Sequence, residues 1–130
     1  MAVREVLVIE DDSDLRESLS QALRDYGFAV TPASNGQQAL ELLRTGTRPS
    51  VILLDLMMPV LNGWELRDAL REDPALAGIP QLVISAYMDE VEQHVLALPP
   101  GDCIRKPFPM RVLLEAIERH CAPEVDSRGL

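Results

Sequence analysis

Lysine is almost absent from this chain: of twelve basic residues, eleven are arginine and only Lys106 is lysine. Acids outnumber bases by 21 to 12, for a net charge of -9. Nucleic-acid binding rests on Lys and Arg meeting phosphates, so this balance argues against nucleic acid as the direct partner. Cysteine is scarce as well. Cys103 and Cys121 have no metal-type spacing and form no disulfide framework, which suits a reducing, cytoplasmic compartment. No apolar run approaches the ~20 residues that cross a bilayer, so no membrane span is expected. The first residues, "MAVREVLVIEDD", put acids straight after a short apolar run, unlike a secretory signal. There is no internal repeat, low-complexity tract or sign of a second domain.

What is present is a 130-residue chain with 47% hydrophobic residues. That is about the size of one domain, able to bury roughly two-thirds of its unfolded surface without metal or disulfide staples. Short apolar runs at Val6–Ile9, Phe28–Thr31, Val51–Leu54, Leu82–Ile84 and Cys103–Ile104 read as strands. Amphipathic patterns lie between them. Leu15, Leu19, Ala22, Leu23 and Tyr26 share one helical face, with Ser13 or Asp14 as N-cap and Gly27 as the stop. Ala39, Leu40, Leu42 and Leu43 follow, with Asn35 as cap and Gly46 as stop; Leu66, Ala69 and Leu70 mark a third helix after the Asn62-Gly63 turn. Val91, Val95 and Leu98 mark a fourth, and Val112, Leu113, Ala116 and Ile117 a fifth, opened by Pro109 in its first turn. Residues Ala122–Leu130 read as a flexible polar tail.

Five strand–helix repeats with unbroken aliphatic strands predict an α/β domain of doubly wound (βα)5 architecture. Its parallel sheet would be covered by helices on both faces, with strand order 2-1-3-4-5. Ligands in such folds sit beyond the carboxyl ends of the strands, at the point where the order reverses. Glu10, Asp11 and Asp12 follow the first strand, Asp55 ends the third, Ser85 follows the fourth and Lys106 the fifth. Carboxylates gathered this closely repel one another unless a cation neutralises them. A hard divalent ion such as Mg²⁺, taking oxygen ligands, is the natural answer. Acids, Mg²⁺, a hydroxyl and one ammonium make up the usual equipment for handling a phosphoryl group.

With "VLVIEDD", "LLDLMMPVLNGWEL", "LVISA" and "IRKPF" in this order, residues 4–120 resemble the receiver domain of two-component response regulators, a flavodoxin-like fold. The resemblance implies a receiver over residues 1–121. Asp55 would be the phospho-acceptor, attacking the phosphohistidine of a sensor histidine kinase or phosphotransfer protein. Asp11 would be a direct Mg²⁺ ligand, Glu10 a ligand through water, and the Met57 backbone carbonyl a further one. Ser85 matches the switch hydroxyl, Lys106 the phosphoryl-binding lysine, and Lys106-Pro107 the peptide bond that is cis in this family. Tyr87 could overhang the site and restrict the hydrolytic water. The pattern departs from the family at Cys103, where an aromatic usually reports phosphorylation to the face formed by the last strand and the helices around it, and at "LPPGD" before the last strand.

Three functions follow. The first is a phosphorylation-switched signalling module with no turnover on a separate substrate. The second, motivated by Cys103, is a degenerate receiver that binds partners whether or not it is phosphorylated. The third is a Mg²⁺-dependent phosphohydrolase with an aspartyl nucleophile. Such enzymes commonly place an acid two residues after that nucleophile, and Met57 occupies this position here, which disfavours the third.

Overall fold

The strands are β1 (Glu5–Ile9), β2 (Ala29–Ala33), β3 (Val51–Asp55), β4 (Gln81–Ser85) and β5 (Cys103–Arg105). The helices are α1 (Ser13–Asp25), α2 (Gly36–Arg44), α3 (Gly63–Glu72) and α4 (Met110–Arg128). The structure, a computed structural model, describes residues 4–55, 63–85, 103–105 and 108–128, with only the backbone of Asp55, Gly63, Trp64, Ser85, Cys103, Arg105 and residues 121–128. The helical pattern at Val91, Val95 and Leu98 lies outside the described residues.

Every strand pairing is parallel, in the order β2-β1-β3-β4-β5. This is the predicted order, and it makes β3 the central strand. The unbroken apolar runs have a simple cause, because alternate residues of β1 and β3 enter two separate cores. Leu7, Ile9, Ile52 and Leu54 pack with Ala39, Leu40, Leu43, Leu66 and Leu70 of α2 and α3. Val6, Val8, Val51 and Leu53 pack on the other face with Leu19 and Leu23 of α1 and Leu113, Ala116 and Ile117 of α4. Each such side chain gains about 1.5–3 kcal/mol by leaving water, so a polar residue is disfavoured anywhere in these runs.

The helix ends follow local chemistry, with two corrections to the sequence reading. Asn35 caps α2, its side chain accepting from Gln38 N–H at 2.8 Å. Gly27 (φ 97°) and Gly46 (φ 118°) take the left-handed conformation that ends α1 and α2, which costs a glycine little. The cap of α1, however, is Asp12 rather than Ser13 or Asp14. Asp12 sits in extended backbone and accepts from Asp14 N–H at 3.0 Å and Leu15 N–H at 3.2 Å. A cap must lie outside the helical dihedrals, and Ser13 is already the first helical residue. The second correction concerns the last helix. It starts just after Pro109, whose carbonyl accepts from Val112 N–H, and it runs to Arg128 rather than ending near Cys121. Pro123 removes one donor from this helix without stopping it.

The strand β2 also starts one residue later and ends two residues later than the expected Phe28–Thr31. Phe28 N–H is taken by Leu23 carbonyl at the end of α1, which holds it out of the ladder. Pro32 is admitted because β2 is an edge strand.

Ser20 lies on the buried face of α1 at 3% exposure, and its hydroxyl has no hydrogen-bond partner among the described residues. An unsatisfied buried hydroxyl is costly, and alanine is also the better helix former. Ser20→Ala is therefore expected to raise stability by about 1 kcal/mol, measured as a higher midpoint in urea at unchanged slope. A lower midpoint would mean that the hydroxyl has a partner of value.

Candidate functional site at the carboxyl edge of the sheet

Strand register gathers the predicted residues. Ile9 pairs with Leu54, so the next residues, Glu10 and Asp55, continue the β1–β3 pair. Asp55 pairs with Ile84, and Ser85 with Arg105, the residue just before Lys106. Neighbouring strands run about 4.8 Å apart. Glu10, Asp55, Ser85 and Arg105 therefore stand along one edge of the sheet, on the three central strands and β5. Cys103 begins β5, opposite Val83. Met57, Tyr87, Lys106 and Pro107 lie outside the described residues.

Three successive acids leave β1, and the structure gives them different surroundings. Glu10 is 1% exposed, whereas Asp11 and Asp12 are exposed. Glu10 is tied down by its backbone: its N–H donates to Ala33 carbonyl at 3.1 Å, and its carbonyl accepts from Arg16 Nη1 at 2.8 Å. Its Oε2 accepts from Asp12 N–H at 3.2 Å. Asp12 spends its side chain on the α1 cap, which leaves Asp11 as the acid of this turn turned to solvent. Sequence reasoning missed Arg16. The available signal was an arginine in the first turn of a helix that follows an acidic strand end, within reach of the turn's carbonyls.

The donor chemistry fits a divalent cation. A carboxylate held at 1% exposure carries a high desolvation cost, which a nearby cation offsets. Carboxylate oxygens are the ligands that hard cations take. Among the described residues no three His, Cys, Asp or Glu side chains make a metal-binding group, so Glu10 and Asp11 would need Asp55 as a further donor. His120 is not part of this edge, since its Nδ1 meets Ala116 carbonyl at 2.7 Å within α4. A shallow depression bounded by Asp14, Glu17, Gln21 and Asp25 runs along the outer side of α1 and includes none of the strand-end residues.

The family model described as "Response regulator receiver domain" matches residues 6–118. The chain is a response regulator receiver. It is 39% identical over 114 residues to the DNA-binding response regulator MtrA of Mycobacterium tuberculosis, covering 86% of this chain and 48% of that protein. The receiver thus spans about half the length of the curated relatives it matches. Among solved structures, the Vibrio cholerae chemotaxis protein CheY4 is 30% identical with a TM-score of 0.81, over 91% of this chain and 98% of that one. The signal receiver domain of a histidine kinase from Syntrophus aciditrophicus is 29% identical with a TM-score of 0.83, over 93% and 92%. The receiver accordingly has the α/β flavodoxin-like fold with a parallel sheet and belongs to two-component signalling. Among its described residues no helix is long and apolar enough to cross a membrane.

Proposed function

We propose that this receiver accepts a phosphoryl group onto Asp55 from a sensor histidine kinase or phosphotransfer protein, with Mg²⁺, and thereby switches a protein-interaction surface. One observation carries the reading most: a buried glutamate and an exposed aspartate leave β1 beside the residue that ends β3. An Asp55 Oδ attacks phosphorus, the P–N bond of the donor breaks, and the electron pair leaves with the histidine nitrogen, which takes up a proton. Asp11, Glu10, Asp55 and the Met57 carbonyl would hold Mg²⁺, which offsets charge on the transferring oxygens when bound. Lys106 supplies a single ammonium to a phosphoryl oxygen and Ser85 a hydroxyl to another. Their part is positioning rather than covalent chemistry. The pattern of Val91, Val95 and Leu98 would supply the remaining helix of the (βα)5 architecture, between β4 and β5 in the chain.

The test is to incubate the receiver with Mg²⁺ and a small phosphodonor and weigh the intact protein. A single phosphoryl mass increment that needs Mg²⁺ supports the reading, and no increment at any Mg²⁺ or donor concentration overturns it. Cys103 favours a second reading, a receiver whose partner binding ignores phosphorylation. A small thiol cannot fill and vacate an aromatic-sized space. Equal partner affinity of the phosphorylated and unmodified protein would favour that reading. MtrA is named a DNA-binding response regulator; with its net charge of -9, this receiver is proposed to act through proteins rather than by touching nucleic acid itself.

The division of labour between neighbouring acids gives a paired prediction. Asp11→Asn should weaken Mg²⁺ binding at least about tenfold with little change in stability. Asp12→Ala should cost about 1 kcal/mol of stability through the lost cap and leave Mg²⁺ affinity within a factor of about two. Calorimetric Mg²⁺ titration and urea unfolding separate the two, and the opposite pattern would mean that the roles are exchanged.

A further inference from the structure

β2 pairs with β1 on one side and forms the edge of the sheet on the other. Such an edge presents a row of N–H and C=O groups that a strand from a second chain can pair with. Two bonds fix which residues face outward. Ala29 N–H donates to Arg4 carbonyl at 2.9 Å, and Ala33 carbonyl accepts from Glu10 N–H at 3.1 Å. Ala29, Thr31 and Ala33 therefore turn their backbone groups toward β1. Backbone groups alternate along a strand, so Phe28, Val30, Pro32 and Ser34 turn theirs outward.

Those outward groups are withdrawn one after another. Phe28 N–H donates to Leu23 carbonyl at 3.1 Å. Ser34 N–H donates to Gln38 Oε1 at 2.6 Å. Pro32 has no N–H. Val30 carbonyl accepts from Arg24 Nη2 at 3.3 Å. Of the outward donors, Val30 N–H is the one left without a partner among the described residues. Among the described residues nothing bulky shields Ala29 and Pro32, which are both exposed. The edge is closed by bonding and not by cover.

We propose that the outer edge of β2 is locked against strand addition by a second copy of this chain, with Arg24, Pro32, Gln38 and the end of α1 as the lock. Each element removes one group that a partner strand would need. Association of this receiver is thereby directed to its helical faces or to the β5 side. This inference is independent of the phosphorylation reading.

The test is the double variant Arg24→Ala with Pro32→Val, which returns an acceptor at 30 and a donor at 32. Light scattering after size exclusion is run on it and on the natural chain over the same concentration range. The variant's weight-average mass is expected to rise with concentration toward about twice the natural chain's value. Adding Val30→Pro, which takes away the outward donor at 30 without touching the ladder to β1 and leaves only the one restored at 32, should return it to that value. A double variant with native circular dichroism and the mass of the natural chain throughout would overturn the proposal. So would association that survives Val30→Pro. If the double variant does not fold, each single variant is measured alone. Association of either, reversed by Val30→Pro, supports the lock, and natural-chain behaviour in both rejects it.

Discussion

Asp55→Asn is expected to remove the phosphoryl mass increment completely while leaving the fold intact. The amide keeps the size and nearly the shape of the carboxylate but lacks the anionic oxygen that attacks phosphorus. It also removes one negative charge from an edge that already holds Glu10 and Asp11, so the folded state should not suffer for the change. Two measurements are needed together: intact mass after incubation with Mg²⁺ and phosphodonor, and a thermal midpoint. Loss of the increment with an unchanged or raised midpoint assigns the phosphoryl group to Asp55. Persistence of the increment would place it on another side chain, and the proposed chemistry would have to be abandoned.

Leu54→Ala, one residue earlier, should act on stability instead. Leu54 is fully buried and packs in the cluster shared with α2 and α3. Truncating such a leucine removes its transfer free energy and leaves a cavity, at a cost of about 2–5 kcal/mol. Domains of this size are stable by about 5–15 kcal/mol, so the change takes a large share of the total. The thermal midpoint should fall by on the order of 10 °C. Tyr26→Ala is the control. Tyr26 is 65% exposed at the end of α1, and its loss should stay within about 0.5 kcal/mol. A comparable effect of both variants would mean that the two-layer core is not what holds β3 in place.

The sheet was legible in the sequence because burial on both faces forbids polar residues, which leaves aliphatic runs that nothing else explains. Asn35, Gly27 and Gly46 were legible as helix punctuation for a similar reason, since each meets a backbone demand few residues can meet. The cap of α1 was not. Asp12, Ser13 and Asp14 can all cap, and only the dihedrals choose among them. Ser20 was hidden because a small polar residue does not disturb an apolar periodicity, although burial decides its cost. Arg16 was hidden because its bond to Glu10 carbonyl depends on how α1 leaves the strand. The end of β2 at Ala33 was not legible, since Pro32 fits a strand only at an edge, and the edge position is known only from the sheet. For the candidate site, the order of motifs placed Glu10, Asp55 and Ser85 on one edge, as the register bears out. The distinct surroundings of Glu10, Asp11 and Asp12 depend on the turn itself and could not be read from three adjacent acids.

The strand order has a kinetic consequence. No two neighbouring strands are joined by a tight turn; even the shortest connection in the ladder, from β4 to β5, pairs Val83 with Cys103. The chain cannot begin folding by zipping a hairpin. A complete strand–helix–strand loop must close before the first ladder bond forms, and that closure costs entropy before any burial rewards it. β3, which adds to β1 across the whole of β2 and α2, is the point where both cores meet. The strand that carries Asp55 is therefore also the one whose docking joins the two halves of the molecule.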